Sequence, residues 1–226
     1  MVTALRSFVR YLKARGEISA DLRAAVPTVA NWRRADLPKT IAPEQVEKLL
    51  ASCDGATPAG RRDRAILLLL ARLGLRASEV VAMRLDDFDW ATGMFIVRGK
   101  GPRREPVPLP EDVGQALAGY LSDGRPICAS RRVFVRLQAP HRGLAHSSTV
   151  CDVVKRALAR AGIDAALKGA HLLRHSLATR LLASGASLAE IGELLRHERL
   201  QTTQIYAKLD LGALRSLAQP WPGAAS

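Results

Sequence analysis

Cysteine, acidic side chains and long apolar runs are all scarce in this chain of 226 residues, and each scarcity closes a class of explanation. The three cysteines, Cys53, Cys128 and Cys151, are odd in number and never spaced as CxxC, which argues against a disulfide framework and a thiolate zinc site. The longest apolar run, around Ile66 to Ala71, is bracketed by Arg64 and Arg72 and falls short of the ~18 residues of a membrane span. Arg6 and Arg10 interrupt the apolar stretch at the start of the chain, which makes it a poor signal peptide. Acidic residues number 21 against 34 lysines and arginines, a formal net charge of +13. Disorder is excluded in turn by a hydrophobic content of 48%, enough to fill a core. The expectation is a soluble, cytoplasmic, basic protein with one large domain and a small appendage.

The positive charge is uneven. Residues 1–40 carry +5, residues 41–110 carry +2, residues 111–180 carry +6, and residues 181–226 are balanced. Arginine supplies 27 of the basic side chains and lysine 7. Its planar fork grips phosphate bidentately, so the bias suits a polyanion, although GC-rich coding produces the same ratio.

Hydrophobic periodicity divides the chain. Leu5, Phe8, Val9 and Leu12 share a helical face within residues 3–15, with Gly16 as the stop. A Pro-containing linker runs from Pro27 to Pro38. From about Thr40 the pattern predicts helices over 43–52, 61–73 and 77–83, with Gly74 stopping the second. The period then changes: Met94 to Val97 reads as a strand, Gly99-Lys100-Gly101 as a turn, and Glu105 to Leu109 as a returning edge strand. Further helices are predicted over 110–121, 147–161, 172–183, 188–195 and 200–208, with a short strand at Val133 to Val135. The fold class is therefore mainly α with a small antiparallel β-sheet (α+β).

Five stretches carry chemistry: Gly74-Leu75-Arg76-Ala77-Ser78-Glu79-Val80, Arg98-Gly99-Lys100-Gly101, His171-Leu172-Leu173-Arg174-His175, Leu195-Arg196-His197 and Gln204-Ile205-Tyr206. Taken singly each has an ordinary reading. Arg76 suits a helix start at the surface, Glu79 an exposed first-turn acid, Lys100 a hairpin tip, and Tyr206 a packing residue. His171 and His175, four apart, could suggest a metal pair, but Leu172 stands where an HExxH motif has its glutamate. In order, however, Arg76, Glu79, Lys100, His171, Arg174, His197 and Tyr206 resemble the tyrosine recombinase (phage integrase) family. The resemblance runs from about residue 40 to about residue 210.

The residue types suit that chemistry. Attack on a DNA phosphodiester builds negative charge on the non-bridging oxygens, which two arginine forks stabilise. A tyrosine hydroxyl, with a pKa near ~10, needs a base and nearby cations, and the expelled 5′-hydroxyl needs an acid. The resemblance implies that Tyr206 is the nucleophile and that Arg76 and Arg174 clamp the phosphate. It implies that Lys100 protonates the leaving oxygen, that His171 handles the tyrosine proton, that His197 donates to a phosphate oxygen, and that Glu79 orients its neighbours. No cofactor, ATP or metal is implied. The implied partner is double-stranded DNA, on which a free monomer would assemble into a tetramer, with Leu211, Leu214 and Leu217 as the linking stripe.

Two departures stand out. The family usually has Gly where this chain has Arg196, a cation that would add a DNA contact or crowd the turn. Only about 35 residues precede the catalytic part, so most of an N-terminal DNA clamp is expected to be absent. The expected organisation is a remnant of a core-binding helical domain plus linker over 1–39, a catalytic domain over 40–210, and a C-terminal helix and tail over 211–226. A DNA-binding remnant with little recombination activity is the main competitor, and a type IB topoisomerase is a third reading.

Overall fold

The computed structural model describes residues 2–20, 22, 25, 39–99 and 104–196. The chain divides into two compact units, Met1–Leu37 and Pro38–Ser226. In the first, helix α1 (Val2–Ala14) ends where Gly16 takes a φ of 74°, a left-handed conformation that glycine adopts without a steric penalty. Leu5, Phe8 and Tyr11 are exposed on it.

The second unit is mostly helical with a three-stranded antiparallel sheet, as the sequence pattern predicts. Helix α2 (Pro43–Ala51) starts with proline in its first turn, where a missing N–H costs nothing. Helix α3 (Pro58–Leu73) begins three residues before the predicted start, because Thr57 accepts a hydrogen bond from the Gly60 N–H and caps it. Its run from Ala65 to Leu70 is buried on every side, since α2 and three later helices surround it. These are α5 (Glu111–Asp123), α6 (Ser147–Arg160) and α7 (Ala170–Ala183). That solid central helix is the rod on which the site is mounted.

Helix α4 (Ala77–Ala82) follows, and then the sheet: β1 (Phe88–Asp89), β2 (Met94–Arg98) and β3 (Arg104–Pro108), in that order. Val97 pairs with Glu105 and Arg98 with Arg104, so β2 and β3 stay paired to the last residue of one and the first of the other. Strand β1 is an addition to the predicted pair; Phe88 stacks on Phe95 at 5.4 Å and holds it there. Val133 to Val135 forms no regular strand. Val135 makes a single bridge to Gly143, and the three residues instead fill the core, where Phe134 stacks on Tyr120.

Helix α7 begins at Ala170, two residues earlier than predicted, with Gly169 extended as its N-cap. Helix α8 (Leu188–Leu194) is capped by Ser187, which accepts from the Glu190 N–H and receives the Glu190 carboxylate in return. The predicted 200–208 helix and the 211–217 stripe lie outside the described residues. Among the described residues no helix is long and apolar enough to cross a membrane.

Candidate active site

The site is built where the end of α3, the start of α4, the start of α7 and the turn after α8 meet. Gly74 ends α3 with φ 58° and ψ 30°, and Arg76 then caps α4 in an extended conformation. This abrupt turn is what projects Arg76 from the helical layer. Glycine is required at 74 on two counts: the left-handed backbone, and the approach of α8's end, since an added Cβ would stand 2.5 Å from Leu195 Cδ2.

Glu79, one turn into α4, is 4% exposed, so the surface-acid reading of this residue does not hold. Its carboxylate accepts from the Arg76 backbone N–H at 2.8 Å and from Arg76 Nη1 at 2.7 Å. The other arm of the Arg76 fork, Nη2, donates to the Arg196 carbonyl at 3.0 Å. About a third of the Arg76 side chain (34%) stays exposed. The fork is thus fixed at its back and open at its front, the arrangement that a pre-set anion site needs.

Arg174 forms the floor of the same place. It is 5% exposed, and it donates from Nη1 to the Gly74 carbonyl and from Nη2 to the Leu195 carbonyl. These two bonds use two of the five N–H groups of a guanidinium and tie α7 to both turns. His171, on the helix turn before it, keeps an exposed face. Its pKa lies below the ordinary value of 6.5, first because packed protein atoms desolvate it and then because the Arg174 and Arg76 charges reach it. Both causes favour the neutral imidazole, the form that accepts a proton.

His175, one turn further along α7, has its ring centre 6.3 Å from that of His171. Burial, then the charges of His171 and Arg174, push its pKa down from 6.5 to about 4. The unfolded chain therefore takes up this proton first, and folding opposes its uptake. The stability contributed by neutral His175 is complete above about pH 6.5 and is lost as pH falls toward 4. Thermal melts over that window are expected to show a falling midpoint, and a shallower fall in His175→Gln. An identical fall in the variant would contradict the assignment.

The Arg196 side chain does not project into solvent. The residue has φ 53°, which explains why glycine suits this position, and a non-glycine side chain there costs about 1–2 kcal/mol. Its guanidinium turns inward, 8% exposed, with Nη1 donating to the Leu194 carbonyl at 3.0 Å. Nη2 lies 3.4 Å from both the Leu73 carbonyl and Glu79 Oε2. No residue pattern signals that inward turn, nor the anchoring roles of the Gly74 and Leu195 carbonyls.

Of the seven sequence-predicted residues, Arg76, Glu79, His171 and Arg174 come together. Lys100, His197 and Tyr206 lie outside the described residues. Glu105, near the connection end of strand β3, acts on the Arg196 charge. Among the described residues no group of three or more His, Cys, Asp or Glu side chains could hold a metal ion.

Residues 39–211 match the model of the phage integrase family. The "Putative integrase/recombinase y4rA" of Sinorhizobium fredii is 56% identical over 225 residues, which is all of this chain and 55% of that protein. The "Tyrosine recombinase XerD" of Lacticaseibacillus casei is 36% identical over 213 residues, covering 92% of this chain and 71% of that protein. Among solved structures, the XerH site-specific recombinase bound to palindromic difH substrate, a post-cleavage complex, is 26% identical. It superposes with a TM-score of 0.68 over 83% of this chain and 54% of that one. The Tn1549 transposon integrase in complex with circular intermediate DNA, 18% identical with a TM-score of 0.64 over 96% of this chain and 77% of that one, shares the fold. This chain spans about half the length of the two rhizobial relatives of which it covers 55% and 53%.

Proposed function

The chain belongs to the phage integrase family of tyrosine recombinases, and from that premise we propose that it breaks and rejoins DNA strands at specific sites through Tyr206. The observation that carries this reading is the fixing of two guanidinium groups, Arg76 and Arg174, on the turns after α3 and α8, with His171 within reach of both charges.

In this reading the scissile phosphate seats against the open front of the Arg76 fork, with the Arg174 charge beneath it. The Tyr206 oxygen attacks phosphorus and its proton passes to His171. The bond from phosphorus to the 5′ oxygen breaks, and that oxygen takes a proton from Lys100. The products are a 3′-phosphotyrosyl link and a free 5′-hydroxyl. Rejoining reverses each step, so the bond energy is retained and neither ATP nor a metal enters. His197 donates to a non-bridging oxygen, and Glu79 holds Arg76 in position.

Duplex DNA as the partner is supported by the XerH complex with its difH substrate and by the net charge of +13. Residues 40–210 carry the chemistry in this reading, residues 1–39 go with the DNA-clamping helices, and residues 211–226 link neighbouring copies into a tetramer on DNA, in the cytoplasm. The test is to offer the chain a randomised pool of nicked duplexes in the presence of a metal chelator and recover DNA that stays attached through denaturation. Retained DNA is expected. Salt-sensitive binding with no retained DNA would favour a DNA-binding protein without strand cleavage.

A further inference from the structure

Arg196 stands where its backbone conformation suits glycine, yet its side chain is folded inward and nearly excluded from solvent. A guanidinium in that position must be held by something. Its Nη2 faces Glu79 Oε2 at 3.4 Å, Glu79 Oε1 faces Arg76 Nη1 at 2.7 Å, and Arg76 Nη2 returns to the Arg196 carbonyl at 3.0 Å. The three residues close a ring, and the ring joins the turn after α8 to the start of α4 across 117 positions of sequence. The Nη2 contact to the Leu73 carbonyl and the Nη1 contact to the Leu194 carbonyl fasten the same guanidinium to the last residues of α3 and α8.

We infer that Arg196 is a positioning residue that works through Glu79: its buried charge holds that carboxylate in place, so the Arg76 fork is locked in one orientation before DNA arrives. This rests on the reading of Arg76 as a phosphate ligand. A buried carboxylate with one cationic partner can follow that partner when it moves, whereas one gripped from two sides cannot. Arg196 Nε has no hydrogen-bond partner among the described residues. Burial also lowers the Arg196 pKa, while Glu79 and Glu105 oppose the shift. A side chain kept against such opposition by its contacts to a carboxylate is a latch on that carboxylate, not an outward-facing contact for DNA.

Arg196→Gly removes the side chain and suits the backbone. In the free 226-residue chain, the expected result is that the nitrogen resonances of the Arg76 guanidinium, held in slow rotation in the wild type, become averaged. Unchanged resonances would overturn the inference whatever the DNA chemistry does. On duplex retained from the randomised pool, Arg196→Gly is expected to slow covalent-complex formation by between about ten- and a hundred-fold, with duplex affinity unchanged. Arg196→Lys should recover part of that loss. Glu79→Gln and the double variant should react at the same rate within about twofold, since both remove one link of one ring. Additive losses would overturn the inference, as would weaker DNA binding with a flattened salt dependence and a normal rate once bound. A wild-type chain that forms no covalent complex would instead overturn the role of Tyr206, and the resonances would still decide the link between Arg196 and Arg76.

Discussion

Tyr206→Phe is expected to remove the covalent complex altogether, a loss of at least about 10⁴-fold in its rate of formation, while leaving duplex binding unchanged. Phenylalanine keeps the ring and its packing and deletes only the attacking oxygen. The chain has three tyrosines, and Tyr120 is wholly buried, with its hydroxyl accepting from the Val135 N–H at 3.4 Å and its pKa raised by burial. Tyr11 lies on α1 in the other unit, where its hydroxyl accepts from Arg15 Nη1 at 2.9 Å. A denaturing gel of end-labelled nicked duplex checks the result. Equal adduct in the variant would move the nucleophile elsewhere.

The second large effect belongs to Arg174→Lys. The two carbonyls that Arg174 satisfies belong to different turns, Gly74 after α3 and Leu195 after α8. A lysine ammonium is a compact point charge and cannot reproduce the fork that spans them. One carbonyl is left without its donor, at about 1–3 kcal/mol, which lowers the melting midpoint by several degrees. The larger loss is chemical: the charge under the phosphate shifts, and cleavage is expected to slow by about 10²–10³-fold at temperatures where the variant is fully folded. A variant that melts early but cleaves at the wild-type rate would make Arg174 a structural residue alone.

What the sequence disclosed, and what it hid, follows from the range of each interaction. The turn that presents Arg76 is local: a glycine stop, then a cap, then a glutamate three residues on, all within one short stretch. The 3.6 period likewise placed His171 and Arg174 on one face of α7. The earlier start of that helix was hidden because Gly169 is a weak cap signal, and its extended backbone becomes visible only in the fold. Strand β1 is two residues long, too short for an alternating pattern, and its place depends on the stack of Phe88 on Phe95. Val133 to Val135 looks like a strand by composition, but among the described residues no neighbouring segment runs beside it for more than a single bridge. The anchoring carbonyls of Gly74 and Leu195 carry no side-chain signature at all. The inward turn of Arg196 depends on Glu79, far away in sequence, so residue identity alone left its direction open.

The proposed strand cleavage requires a covalent bond between one side chain and DNA, and that bond can be located. The retained protein–DNA complex would be digested with nuclease and protease, and the peptide bearing a residual nucleotide sequenced by mass spectrometry. The expected product is a peptide spanning Gln204 to Tyr206 onward, with the 3′ phosphate on the Tyr206 oxygen. Attachment to Tyr11, to a serine or to a cysteine, or a complex whose DNA carries its phosphate on the 5′ side, would contradict it.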